Sequence, residues 1–216
     1  MKIMYFKIRN LTNFQMDKID KIYYINLERR FDRKEHIENE FEKMKISSDK
    51  ICRFNAIEHE QGCIGCGLSH IGVLDDAIKN DYQNIIIFED DFEFLISSDH
   101  FSTILVRLFE REFNACLLSY NVPIVRRLDN DFSEIITAQT ASGYVVNKNL
   151  MKELRDIFQQ GVNLLSQHGR KYGYHIDVIW HKLQGVNKKF LMSNVRVGKQ
   201  MASYSDIEEQ FVDHKC

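Results

Sequence analysis

The segment Ile85-Ile86-Ile87-Phe88 runs directly into Glu89-Asp90-Asp91. Four large apolar residues, three of them β-branched, read as a buried strand of an α/β sheet. A strand buried along its body cannot also bury three anions at its tip unless a cation neutralises them. Ligands of open α/β sheets bind at the carboxyl ends of the strands. Hard oxygen donors at such a place suit Mg²⁺ or Mn²⁺, either of which can hold a diphosphate. The plain alternative for a bare acidic triplet is a strand that ends in a solvated turn.

Around this segment the chain alternates strands and helices. Residues 1–18 read as an N-terminal extension and 19–216 as one domain, a length that buries a full core. The pattern predicts a strand over Lys21–Leu27, then a charged loop and a helix to about Lys45 with Phe31, Ile37, Phe41 and Met44 on its inner face. A strand over Ile51–Ile57 follows. Gly62, Gly65 and Gly67 then crowd a turn before a buried helix over Leu68–Ile78. After the acidic strand come a helix over Phe101–Glu112 and a strand over Ala115–Tyr120. A polar turn at Asp129–Ser133 leads to one strand or a hairpin over Glu134–Asn147. A helix over Asn149–Phe158, a polar connection over Gly161–Gly173, a short helix over His175–Leu183, a strand over Lys189–Val197 and a polar tail complete the chain. This order predicts a layered α/β sheet.

Charge and cysteines narrow the function classes. Lys and Arg number 29 against 31 Asp and Glu, a formal charge of −2, so no global field favours nucleic acid or an anionic membrane. No apolar run reaches the roughly 18 residues of a membrane span, and Met1–Arg9 lacks a signal-peptide core. The expectation is a soluble protein of the cytoplasm, bacterial or, for a virus, that of its host. Cys52, Cys63, Cys66, Cys116 and Cys216 are odd in number and follow no framework, which predicts reduced thiols. Cys63 and Cys66 share a helical face with His70, a pattern open to metal or redox chemistry, or to small thiols packing a helix on the sheet.

Three separated segments together resemble glycosyltransferase family 25, which includes lipooligosaccharide and collagen galactosyltransferases. They are Tyr24-Ile25-Asn26-Leu27 with Arg29, Arg30 and Arg33; Gly62-Cys63-Ile64-Gly65-Cys66-Gly67-Leu68-Ser69-His70; and Ile85–Phe88 with Glu89-Asp90-Asp91. Weaker echoes are Thr140–Val146, His175-Ile176-Asp177 and Ser205-Asp206-Ile207. One departure is plain: Cys63 stands where the family has Glu. The resemblance implies a single-domain glycosyltransferase-A fold, a Rossmann-like α/β/α sandwich with a mixed, mostly parallel sheet. It also implies a metal-dependent inverting enzyme that moves galactose or glucose from a UDP-sugar to a saccharide or hydroxylysine acceptor, with Mn²⁺ or Mg²⁺ as cofactor and a homodimer as one quaternary arrangement.

Within that reading Asp91 is the direct metal ligand, joined by Glu89, and Asp90 holds the ion or the donor's hydroxyls. Asn26, Leu27, Arg29 and Arg33 hold the base and diphosphate, guanidinium groups being matched to phosphate oxygens; surface pairing with Glu28, Asp32 and Glu35 is the alternative for the arginines. Ser69 and His70 face the donor, unless His70 is a satisfied core residue. Asp177 is the general base, unless it only complements a helix N-terminus. His175, Trp180 and His181 add a sugar-facing surface, and Gln200–Asp206 with His214 a further metal or phosphate contact. The rival readings are a degenerate carbohydrate-binding or scaffold member, favoured by Cys63, and a thiol-redox protein using Cys63 and Cys66.

Overall fold

Alternate residues of strands β1 (Lys21–Asn26) and β3 (Asn84–Glu89) enter two different cores. Ile22, Tyr24, Ile86 and Phe88 point to one side of the sheet; Tyr23, Ile25, Ile85 and Ile87 point to the other. Helices α1 (Phe31–Lys43) and α3 (Ser98–Phe109) cover the first side through Ile37, Phe41, Phe101, Leu105 and Leu108. Helices α2 (Gly62–Lys79) and α4 (Lys148–His168) cover the second through Ile71, Leu74, Leu154 and Phe158. The result is an α/β/α sandwich. The structure, a computed structural model, describes residues 17–216 except 187, 206, 208, 209 and 214–216, with Tyr172 described by its backbone alone. Most of the expected N-terminal extension, Asp206 and His214 therefore lie outside the described residues.

The remaining main-sheet strands are β2 (Ile51–Asn55), β5 (Ala115–Leu117), β6 (Asn121–Arg127), β7 (Phe132–Gln139), β8 (Gly143–Asn147) and β9 (Phe190–Ser193). They lie in the order β2-β1-β3-β8-β5-β9-β7-β6. Only β8 and β7 run against the others, so six of the eight strands share one direction. This is the mixed, mostly parallel sheet that the resemblance implies. Among the described residues no helix is long and apolar enough to cross a membrane.

Several expected boundaries are corrected. The glycines at 62, 65 and 67 make no turn; α2 begins at Gly62. A Cβ on Gly65 would stand 2.5 Å from the Ile57 carbonyl oxygen, so the glycine admits the chain leaving β2 against the helix rather than breaking it. Nor is 161–173 a polar connection: α4 runs on to His168 because Val162 and Leu165 continue its buried stripe. The segment 134–147 is neither one strand nor a hairpin. It holds β7 and β8, which pair with different partners, and β6, unforeseen, supplies β7 with its hairpin mate.

One aromatic residue fixes the turn after β3. Phe92 opens β4 (Phe92–Phe94), which pairs with β10 (Gly198–Gln200), and its ring packs 4.6 Å from that of Phe88. A Cβ on Gly143 would lie 2.4 Å from Phe92 Cε2, and one on Gly198 would lie 2.1 Å from Phe92 Cζ. The ring is thus clamped between two glycines, and Asp91, its neighbour in sequence, is clamped with it. Gly198→Ala overpacks this contact and is expected to cost ~1–3 kcal/mol, read as a lower denaturant midpoint at unchanged slope. An unaltered midpoint would contradict the clamp.

Candidate active site

The period of β3 decides which carboxylate meets which wall. Ile85 and Ile87 point toward α2, so Glu89 does as well, and it ends the strand beside Cys66 and His70, one helical turn apart. The Cys66 thiol donates to Glu89 Oε1 at 3.6 Å, and His70 Nε2 lies 3.3 Å from the same oxygen. His70 Nδ1 is 2.9 Å from the Tyr144 hydroxyl, so this fully buried ring is held at both nitrogens. Burial pushes Glu89 toward its protonated form, but His70, Cys66 and Arg33 outweigh it and hold the carboxyl below its ordinary range.

Asp90 and Asp91 occupy the turn. Asp90 accepts from Asn26 Nδ2 at 2.7 Å and from Arg33 Nη1 at 3.0 Å. Burial still raises its pKa, with those two partners opposing. Asp91 is less well provided. Its Oδ2 lies 3.2 Å from Arg33 Nη1, and its buried Oδ1 has no hydrogen-bond partner among the described residues. Burial first, then the neighbouring Glu89 and Asp90, push Asp91 up to about 7. An orphaned carboxylate oxygen amid hard oxygen donors is what a divalent cation satisfies. The residues present therefore fit Mg²⁺ or Mn²⁺, with Asp91 and Glu89 as the groups able to hold it.

The end of the chain folds back over these anions. Arg33 Nη2 donates to Ser203 Oγ at 2.7 Å and to the Tyr204 carbonyl at 2.9 Å, in β11 (Ser203–Ser205). Met201 N donates to the Asp91 carbonyl at 2.7 Å, and Gln200 Nε2 reaches Glu89 Oε2 at 3.4 Å. Of the expected tail contacts, Gln200 thus reaches a carboxylate of the site directly and Ser203 reaches it through Arg33.

The acidic groups line a cavity of about 680 Å³, within the roughly 300–1,000 Å³ of small-ligand sites. Leu27, Arg29, Arg33, His70 and Asp177 also line it. Asp177, on α5 (Ile176–Ile179), accepts from the backbone N–H of Thr140 at 3.4 Å. Thr140 has φ +84°, a strained value for a β-branched residue and one of the kind found where function fixes the backbone. Burial raises the Asp177 pKa, and the charge of Glu89 adds to the effect.

The other expected residues divide. Arg29 lines the cavity but is paired with Glu58. Asn26 sits behind it, almost fully buried: Arg53 Nη2 donates to its Oδ1 at 2.8 Å while its amide orients Asp90. Ser69 borders the cavity, but its hydroxyl donates to the Gly65 carbonyl at 2.7 Å and accepts from Ile57 N at 2.8 Å, tying α2 to the exit of β2. Trp180 offers no sugar-stacking face. It is wholly buried, with Nε1 donating to the Ala138 carbonyl at 3.0 Å, and His181 Nε2 lies 3.1 Å from the same oxygen. His175 does border the cavity. Tyr144, which holds His70, carried no polar signal in sequence because it sits within an apolar strand. Cys63 and Cys66 are free thiols; burial, then Glu89, hold Cys66 well above its ordinary pKa, the reverse of an activated redox thiolate.

A family model described as glycosyltransferase family 25 (LPS biosynthesis protein) matches residues 60–179, more than half of the chain. The chain belongs to glycosyltransferase family 25. Its fold is similar to that of a glycosyltransferase involved in the glycosylation of the major capsid of PBCV-1, at 9% identity over 80% of each chain and a TM-score of 0.52. A mannose-1-phosphate geranyltransferase from Thermus thermophilus is 8% identical over 84% of this chain and 75% of its own, at a TM-score of 0.49, too distant a likeness to carry weight. No curated protein matches. The single-domain glycosyltransferase-type α/β sandwich and a role in glycosyl transfer follow from the family.

The raised Asp91 carboxyl makes the folded state pH-sensitive. A carboxyl whose folded pKa stands above its unfolded value binds its proton more tightly when folded. Its stabilising contribution is therefore full below the ordinary 3.8 and is lost as the pH rises through about 7. In chelator, the thermal midpoint of the wild type is expected to fall across that window more steeply than that of Asp91→Asn. Parallel profiles would contradict the assignment.

Proposed function

We propose that this family 25 member is a metal-dependent inverting hexosyltransferase of the cytoplasm, taking galactose or glucose from a UDP-sugar to a saccharide or hydroxylysine acceptor. The observation that carries this reading is the buried Oδ1 of Asp91, unpartnered among the described residues, in a group of three carboxylates on the wall of a ligand-sized cavity. A divalent ion there would offset the charge that develops on the departing nucleoside diphosphate. Asp91 and Glu89 hold the ion, and Asp90, fixed by Asn26, is left for the donor's hydroxyls. Arg29 and Arg33 supply guanidinium groups for the phosphates, and Leu27 an apolar edge for the base.

Inversion requires a single displacement by the acceptor hydroxyl and no enzyme nucleophile. Asp177 is the base that takes the hydroxyl's proton. Burial strengthens it relative to a surface carboxylate, and the Thr140 N–H fixes one of its oxygens. His175, at the N-terminal end of the same short helix, lines the same cavity and would border the acceptor.

Calorimetric titration with UDP-galactose and UDP-glucose, in Mn²⁺ and in chelator, tests the donor. Binding is expected with metal only, and Asp91→Ala should abolish it. Absence of UDP-sugar binding with every divalent ion, or full activity in Asp91→Ala, would overturn the reading. Asp177→Asn is expected to keep donor binding while lowering kcat by ~10²–10⁴-fold; an unchanged kcat removes Asp177 from the role.

A further inference from the structure

The proposed donor site gives the acidic turn a role but none to the thiol that lies against it. Cys66, His70 and Glu89 bring a sulfur, a nitrogen and an oxygen together, all within 4.8 Å of one another. The sequence pairs Cys63 with Cys66; the fold brings Glu89 to Cys66 and His70 instead.

We propose that Cys66 Sγ, His70 Nε2 and Glu89 Oε1 form a second divalent-cation site, of the zinc class, which shares only Glu89 with the hard-oxygen site at Asp91. Tetrahedral zinc, with bonds of ~2.3 Å to sulfur and ~2.0–2.2 Å to nitrogen and oxygen, sets donor separations of roughly 3.4 Å for N···O and roughly 3.6 Å for S···O. The observed separations are 3.3 Å for His70 Nε2 to Glu89 Oε1 and 3.6 Å for Cys66 Sγ to the same oxygen. Two donors one turn apart on a helix and a third on a neighbouring strand form a rigid cradle. The Tyr144 hydroxyl, 2.9 Å from His70 Nδ1, is placed to accept that nitrogen's proton, the tautomer in which Nε2 can ligate.

The two oxygens of Glu89 look in different directions. Oε1 faces the thiol and imidazole, whereas Oε2 faces Gln200 at 3.4 Å on the tail that also meets Asp91. Glu89 is thus shared between a thiolate-containing site, which selects a soft ion, and carboxylates, which select a hard one. All three ligands line the main cavity, so the fourth position opens toward bound substrate, as in zinc sites that do more than hold a fold. Without an ion the thiol stays protonated and donates to Glu89; binding releases that proton to solvent.

Cobalt(II) tests this directly, because a cysteine thiolate bound to it gives a near-ultraviolet charge-transfer band. The metal-free full chain titrated with Co²⁺ is expected to show the band, Zn²⁺ to displace it, and Cys63→Ser and Asp91→Asn to retain it. Cys66→Ser should lose the band while keeping its thermal unfolding transition. No band in the wild type, a band that survives Cys66→Ser, or loss in Cys63→Ser would overturn the assigned ligands. The site rests on geometry independent of the donor reading: a band without UDP-sugar binding would leave it standing while the donor reading fell, and binding without a band would do the reverse.

Discussion

The guanidinium of Arg33, 3.0 Å from Asp90 and 3.2 Å from Asp91, is the contact on which the rest of the site depends. It joins the start of α1 to the turn after β3 and, through Ser203 and Tyr204, to the tail. A buried ion pair contributes little net stability, since desolvation offsets its attraction, but removing one member leaves an uncompensated charge. Its value is positional. Arg33 draws three remote segments to the carboxyl edge of the sheet, where open α/β folds bind ligands.

One arginine cannot serve three carboxylates equally, and the inequality differentiates them. Glu89 has His70 and Cys66 and is held below its ordinary pKa. Asp90 has Asn26 and Arg33, and burial only partly prevails. Asp91 keeps an orphaned oxygen and rises to about 7. Groups in one site whose proton affinities are driven apart mark different tasks. In the function proposed above, that division is between holding an ion, orienting the donor and anchoring the wall. The clamp on Phe92 keeps that division in place by fixing the turn.

Local pattern made much of this legible. The alternation of Ile85 to Phe88 and the abrupt acids after it identified the strand, its burial and the cluster of carboxyls at its end. Asn26, Arg33, Cys66 and His70, which carry the resemblance, all touch the acidic turn, because they lie near strand ends and on one helical face. Local pattern fails where packing overrides it. Gly62, Gly65 and Gly67 read as a turn, yet they permit close approach within a helix; Gly161 read as a stop, yet Val162 and Leu165 carried the helix onward. Trp180 looked like a sugar platform because it stands three residues from Asp177 and beside His181, yet its ring enters the core. The role of Asn26 behind Asp90, the meeting of Glu89 with Cys66 and the return of Gln200 depend on contacts between residues distant in sequence, which no local period encodes.

The central claim is that the carboxylates at the end of β3 hold a divalent ion that a nucleoside diphosphate completes. Electron paramagnetic resonance of Mn²⁺ measures this without requiring turnover or knowledge of the acceptor. Titrating the Cys66→Ser chain with Mn²⁺ in the presence of uridine diphosphate is predicted to show a saturable loss of the free-ion signal, much weaker without the nucleotide and absent in an added Asp91→Ala. A free-ion signal that stays undiminished with uridine diphosphate present, or that falls equally after Asp91→Ala, would contradict the account.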